Sequence, residues 1–131
     1  MDNMIVWADI PVTDLDRAMK FYGAVMRHEF ITVDGMPGVA LPAPEGSPGA
    51  PPPDRPMTVA FDLAVVADNK PSTDGCTIYL NAEDGPEAML ERATAAGGEI
   101  LQPMSFMGDM VGSVGFFRDT EGNRIGVHKS A

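Results

Sequence analysis

The sequence has few residues that could cross-link or anchor it. One cysteine, Cys76, occurs among 131 residues, so no intramolecular disulfide can form and a reducing, cytoplasmic setting is expected. No apolar run approaches the roughly 20 residues that a membrane-spanning helix needs. The N-terminus also lacks a basic segment followed by an apolar stretch. We therefore expect no membrane association.

Positive charge is scarce as well. Nine Lys and Arg residues face 19 Asp and Glu residues, which gives a net charge of −10. Nucleic acid is excluded as a partner because no basic stripe is present to displace counterions from phosphates. Anionic membrane surfaces are excluded for the same reason. The apolar fraction of 44% is ordinary for a soluble domain, and the length predicts one domain, residues 1–131.

Alternating and helical patterns predict the elements of the first half. Residues 4–12 alternate as a strand, which places Trp7 and Asp9 on the face opposite Ile10. Thr13, with Asp16 three positions on, is predicted to cap a helix over residues 14–27. Short strands follow at 29–33 and 38–41. The proline-rich stretch 42–56 excludes helix and interior strand, and it is either a lid over a cavity or a variable insertion without a role.

A strand predicted at 57–66 completes the first half, and the second half repeats this order. Strands are predicted at 76–82 and 99–106, and Asp84 is predicted to cap a helix with Pro86 in its first turn. A shift of seventy positions lays Asp14 on Asp84 and Trp7 on Thr77. The shared order predicts an internal duplication, with modules at about 1–68 and 74–131.

The last hairpin carries the densest run of turn residues. Asp119, Gly122 and Asn123 separate two short strands at 114–117 and 125–127. Alternation points Arg124, Gly126 and His128 away from the core. Glu121 and Arg124 are expected to be exposed turn residues, and Cys76 a small packed thiol.

Two such modules are expected to enclose a cleft between the inner faces of their sheets. The polar and aromatic residues predicted to line it are Trp7, Asp9, Asp62, Thr77, Tyr79, Asn81, Gly126 and His128, with Phe61 or Phe116 as further apolar surface. For Trp7, two interpretations stand side by side: core packing, or an aromatic wall for a flat ligand.

Four stretches resemble the vicinal oxygen chelate superfamily, which includes glyoxalase I, extradiol dioxygenases and bleomycin-resistance proteins. They are IPVTDLDRAMKFY at 10–22, PSTDGCTIYL at 71–80, AAGG at 95–98 and FRDTEGNRIG at 117–126. The resemblance, closest to the small glyoxalase-like branch, implies an α+β fold. In that fold two βαβββ modules form a curved, barrel-like mixed sheet with a cleft. It also implies a homodimer.

The resemblance further implies where a divalent metal ion would be bound. Its ligand positions fall on Trp7, on Thr77 or Cys76, and on Gly126. Trp, Thr and Gly are not normal ligands of a catalytic divalent ion, so no metal cofactor is expected. A displaced metal site is the alternative, and its candidates are Asp9, Asp62, Tyr79 and His128.

Three functions follow from these residues. The first is a metal-independent protein that binds a small molecule, with Asp9, Tyr79, Asn81 and His128 as polar anchors. The second is an enzyme of the lactoylglutathione lyase, isomerase or dioxygenase type, in which Asp9 or His128 acts as a general base. The third is a non-catalytic interaction module whose cleft is packed shut.

Overall fold

A computed structural model describes residues 4–43 and 60–131 of the chain. The elements run, in order, β1 (Trp7–Pro11), α1 (Leu15–Met26), β2 (Phe30–Val33), β3 (Met36–Pro42), β4 (Ala60–Ala64), β5 (Ile78–Asn81), α2 (Pro86–Ala95), β6 (Glu99–Phe106), β7 (Ser113–Arg118) and β8 (Arg124–Lys129). Strand, helix and three strands therefore occur twice.

The two halves form sheets of the same topology. Sheet 1 has the order β1-β4-β3-β2 and sheet 2 the order β5-β8-β7-β6. In each, the first strand pairs in parallel with the last, and the other pairs are antiparallel. This confirms the predicted α+β class with two βαβββ modules. Within the described ranges the sheets stay separate and are not closed into a barrel. No helix described here is long and apolar enough to cross a membrane.

Element types were predicted better than their ends. The first strand begins at Trp7 and not at residue 4. Met4, Ile5 and Val6 are exposed and precede the paired register of β1 and β4, although the carbonyl of Val6 accepts from the backbone N–H of Ala60 at 3.1 Å. The strand predicted at 57–66 is present as β4 from Ala60. Positions 57–59 and positions 44–56 of the proline-rich stretch lie outside the described residues.

The core lies between the helices and one face of each sheet. Helix α1 buries the small and aromatic residues Ala18, Phe21, Tyr22 and Val25, and helix α2 buries Pro86, Met89, Leu90 and Ala93. Phe21 contacts Phe117 of sheet 2, with ring centroids 5.8 Å apart. Ile10 and Val127 are fully buried in the same cluster. One continuous core therefore joins the modules.

Both predicted helix caps are wrong. Asp14, and not Thr13, caps α1, since its carboxylate accepts from the backbone N–H of Arg17 at 3.0 Å. Thr13 is engaged elsewhere: its N–H and hydroxyl donate to Glu121, and its hydroxyl oxygen accepts from Arg17 Nη2 at 3.2 Å. Helix α2 begins after Gly85, without a side-chain cap. Pro86 lacks an N–H, so one fewer donor needs a partner there.

Glu121 joins the two modules. It was expected to be an exposed turn residue, but it is buried. Its carboxylate accepts from the backbone N–H groups of Thr13 and Asp14, both at 2.9 Å, and from Arg17 Nε at 2.7 Å. Burial alone would raise the pKa of Glu121, but these bonds and one from Thr120 lower it to about 2.

Asp119 and Asn123 complete this joint. Asp119 accepts from the buried hydroxyl of Tyr22 at 2.5 Å and from two backbone N–H groups of its own turn. The Asn123 amide donates to the carbonyl of Pro11, at the end of β1, at 2.7 Å. The β7–β8 turn is therefore bonded to both ends of the β1–α1 connection. We call Asp119, Glu121 and Asn123 the turn joint.

We predict that Glu121→Gln destabilises the protein by about 1–3 kcal/mol at pH 7, because buried donors then lose a charged acceptor. The folded pKa is lowered, so this stabilisation is complete above pH 4.5 and is lost as pH falls toward 2. Urea denaturation at pH 7 and pH 3 measures both effects, with exposed Glu91→Gln as the control. Equal stability of Glu121→Gln and the parent at pH 7 would contradict the assignment.

Candidate functional site

The two sheets present equivalent inner faces, on the side away from the helices. In sheet 1, Asp9 lies directly beside Asp62. In sheet 2, Tyr79 lies beside Gly126 in the same parallel pairing. The seventy-residue shift that relates Trp7 to Thr77 also relates Asp9 to Tyr79. Asp62 therefore occupies in the first module the place that Gly126 occupies in the second.

Three side chains of sheet 1 form an acidic cluster, Trp7, Asp9 and Asp62. The indole Nε1–H of Trp7 donates to Asp9 Oδ1 at 3.2 Å and lies 3.4 Å from Asp62 Oδ2. Ile10, on the other face of β1, is fully buried in the core, so the indole points away from the helices. Trp7 remains 47% exposed, whereas Asp62 is only 6% exposed. The cluster thus combines an open aromatic ring with a buried carboxyl group.

Asp62 has an unusual protonation equilibrium. Burial raises its pKa, and the hydrogen bond and negative charge of the adjacent Asp9 carboxyl raise it as well, whereas the Trp7 indole N–H lowers it. Together these effects bring the pKa of Asp62 to about 6. Its Oδ1 atom is buried and has no hydrogen-bond partner among the described residues. A proton shared with Asp9 would satisfy that atom, because one carboxyl group would then donate to the other.

Sheet 2 carries an aromatic cluster, Thr77, Tyr79, Phe116, Arg124 and Gly126. The Tyr79 and Phe116 rings meet edge to face, with centroids 5.7 Å apart. The Tyr79 ring lies over Gly126, and a Cβ atom at that position would overlap it. Arg124 stacks 3.7 Å from the centroid of Phe116 and donates to the Thr77 hydroxyl at 2.8 Å. Tyr79 is 48% exposed, so this face also offers open aromatic surface.

The other predicted site residues lie apart from both clusters. Phe61 is on the opposite face of β4, where it packs against Phe30 at 5.9 Å between centroids. Asn81 and His128 pair with each other at the far end of β5 and β8. His128 Nε2 bonds the carbonyl of Val111 at 2.5 Å. These contacts do not bring His128 into the acidic cluster.

A cleft of about 350 Å³ lies where the modules meet. Asp9 lines it from sheet 1 and Arg124 from sheet 2, while Lys70, Asp74 and Cys76 line it from the connection between the modules. Cys76 was expected to be packed, but it is exposed. Arg124 was expected to be an exposed turn residue, but it is partly buried against Phe116. The alternation along β8 is the sequence signal that places Arg124 on this face.

The donor set does not fit a catalytic divalent ion. Trp7, Thr77 and Gly126 stand at the positions that the resemblance assigns to ligands, and Asp9 and Asp62 are the nearby carboxylates. Within residues 4–43 and 60–131, no three His, Cys, Asp or Glu side chains are grouped to hold a metal ion. Zinc, manganese or iron would need at least one further ligand of that kind from the described residues.

Comparisons with known proteins agree with this fold. A sequence model of the Glyoxalase/Bleomycin resistance protein/Dioxygenase superfamily matches residues 4–127. A glyoxylase-like domain-containing protein of Didymella fabae is 31% identical over 124 residues, which cover 94% of this chain and 91% of that protein.

Two solved structures illustrate the structural likeness. A glyoxalase/bleomycin resistance protein from Albidiferax ferrireducens T118 has a TM-score of 0.67 at 19% identity, covering 95% of this chain and 98% of that one. TnmS3, an antibiotic binding protein from Streptomyces sp. CB03234, has a TM-score of 0.60 at 18% identity, covering 98% and 97%.

We predict that Asp62→Asn stabilises the protein by about 1–3 kcal/mol at pH 8, and by little at pH 4. The folded pKa is raised, so the parent loses stability as pH rises from 3.8 through about 6, and the amide removes that loss. Denaturant midpoints at the two pH values measure the difference, with exposed Asp16→Asn on α1 as the control. A gain that is the same at both pH values would rule out the raised pKa.

Proposed function

Because the chain belongs to the Glyoxalase/Bleomycin resistance protein/Dioxygenase superfamily, we propose that it uses this fold to bind a small organic molecule without a metal ion. The ligand lies in the cleft between the inner faces of the two sheets. Trp7 and Tyr79 supply flat apolar surface, and Asp9 and Arg124 supply polar anchors.

One observation carries the proposal: an exposed aromatic ring, Trp7, stands at one expected metal-ligand position, and another, Tyr79, covers a second one at Gly126. Trp7 and Tyr79 each leave nearly half of their surface open, although aromatic side chains gain by burial. Small-molecule sites typically combine such apolar walls with a few polar groups. The likeness of the fold to that of TnmS3, an antibiotic binding protein, supports the proposal.

The third alternative, an interaction module whose cleft is packed shut, is disfavoured because Trp7 and Tyr79 are exposed.

The remaining contacts of the ligand would come from a partner subunit if the chain forms the homodimer that the family resemblance implies. Cytoplasmic location likewise stays an expectation, drawn from the single cysteine.

We predict that a thermal-shift screen of aromatic metabolites and antibiotics finds compounds that stabilise the protein equally with and without EDTA. A ligand at one hundred times its Kd stabilises by about 2.7 kcal/mol. Trp7→Leu should remove the shift, while Phe106→Leu, which truncates another exposed aromatic residue, should retain it. Stoichiometric metal in the purified protein, or stabilisation that EDTA abolishes, would refute metal independence.

A second candidate, a glyoxalase-type isomerase, is favoured by the Asp9–Asp62 pair. A carboxyl group with a pKa of about 6 is suited to proton transfer near neutral pH. For a binding protein we expect no conversion of the methylglyoxal–glutathione hemithioacetal above the uncatalysed rate. Catalysis that Asp9→Asn abolishes and His128→Asn retains would establish the enzyme instead.

A further inference from the structure

The acidic cluster lacks enough donors and positive charge for its two carboxyl groups. Trp7 Nε1–H is the donor they share, and Asp62 Oδ1 has no partner in the described part of the chain. The ion pairs found there join Arg17 to Glu121 and Arg118 to Glu99, far from this cluster. A buried carboxylate without such compensation is costly, so a proton or a bound cation is needed.

An organic cation suits this position better than a metal ion. The cluster offers two carboxyl groups and an indole, which is not a metal ligand, so a divalent ion would be incompletely coordinated. A protonated amine supplies the missing positive charge to both carboxyl groups and N–H donors to the exposed Asp9. It also gains by lying against the open face of Trp7, whose edge is held by the hydrogen bonds of Nε1.

We propose that the ligand of the cleft carries a protonated primary or secondary amine, which binds at the Asp9–Asp62 pair against the ring of Trp7. This inference rests on the proposed function and names its ligand class. Asp9, the exposed member, accepts the N–H groups directly. Asp62, which is buried beside Asp9, attracts the ammonium group through its negative charge without a direct hydrogen bond.

The rest of the cleft gives this ligand a direction. Lys70, Asp74, Arg124 and the Cys76 thiol are the other charged or titratable groups that share the cleft with Asp9. Arg124 is held by Thr77 and Phe116 on the opposite sheet. Of the two clusters, only Asp9 and Arg124 line this cleft. The amine therefore belongs at its sheet 1 end, beside Asp9, and the rest of the ligand extends toward Arg124 on sheet 2.

The single tryptophan makes the test site-specific. Trp7 is the only tryptophan in the chain, so its fluorescence reports from the acidic cluster alone. The probes are phenethylamine and its neutral analogue 2-phenylethanol, titrated at pH 7.5. We expect phenethylamine to bind about tenfold tighter or more, because its ammonium group faces two carboxylates.

Protonation provides the second arm of the test. At pH 5 a proton on the pair replaces the cation, so the preference for the amine should fall to about threefold or less. Asp62→Asn should reduce the preference at pH 7.5 in the same way, and Asp9→Asn should reduce it more. Asp16→Asn, on the far side of α1, should leave it unchanged. Because Asp62 does not line the cleft while Lys70 and Asp74 do, the Asp62 variant distinguishes an effect of the Asp9–Asp62 pair from an effect of those two charges.

The outcomes distinguish the two proposals. Equal affinity for phenethylamine and 2-phenylethanol, or a preference for the amine that Asp9→Asn leaves intact, overturns the proposal of an amine ligand. Either result leaves the proposal of ligand binding in the cleft in place. Failure of phenethylamine to change Trp7 fluorescence also overturns the proposal of an amine ligand. If no compound from the wider thermal-shift screen changes that fluorescence either, the proposed function falls with it.

Discussion

The buried carboxylate of Glu121 is the constraint on which the arrangement of the two modules depends. It lies in the β7–β8 turn of one module and accepts from the β1–α1 connection of the other. Asn123 holds the carbonyl at the end of β1 in the same way. Since β1 carries Trp7 and Asp9, and β8 carries Arg124, the turn joint sets how the two sides of the cleft stand to each other.

Within this frame, duplicated positions have acquired different chemistry. The pair Asp9 and Asp62 in sheet 1 corresponds to Tyr79 and Gly126 in sheet 2. One side is therefore acidic, with a buried carboxyl group. The other is aromatic, with a guanidinium group stacked on Phe116. The two modules thus share one fold, but the inner faces of their sheets differ in charge.

The fold could be predicted from local patterns because the core obeys them. Alternation placed Trp7 opposite Ile10 and Val127 opposite Gly126, and the repeat of element order indicated two modules. Residues at the joint could not be predicted this way. Glu121 and Thr13 are 108 positions apart in sequence, and neither pattern nor composition reveals that they bond. The cap at Asp14, next to this contact, was likewise missed.

The site was predictable in part for the same reason. Side chains alternate between the two faces of a strand, so the sequence predicts on which face Asp9, Asp62 and Tyr79 lie. The contacts of a side chain depend on neighbouring strands and loops, and alternation does not predict those contacts. The packing of Arg124 on Phe116 and the bond between His128 and Val111 both arise between strand β8 and other segments.

The most direct test of the account follows the indole N–H of Trp7 by NMR in ¹⁵N-labelled, metal-free protein. A compound that stabilises the protein should shift this single cross-peak saturably, with the same Kd as the thermal measurement. A cross-peak that stays unchanged while the compound stabilises the protein would place binding elsewhere and contradict the account.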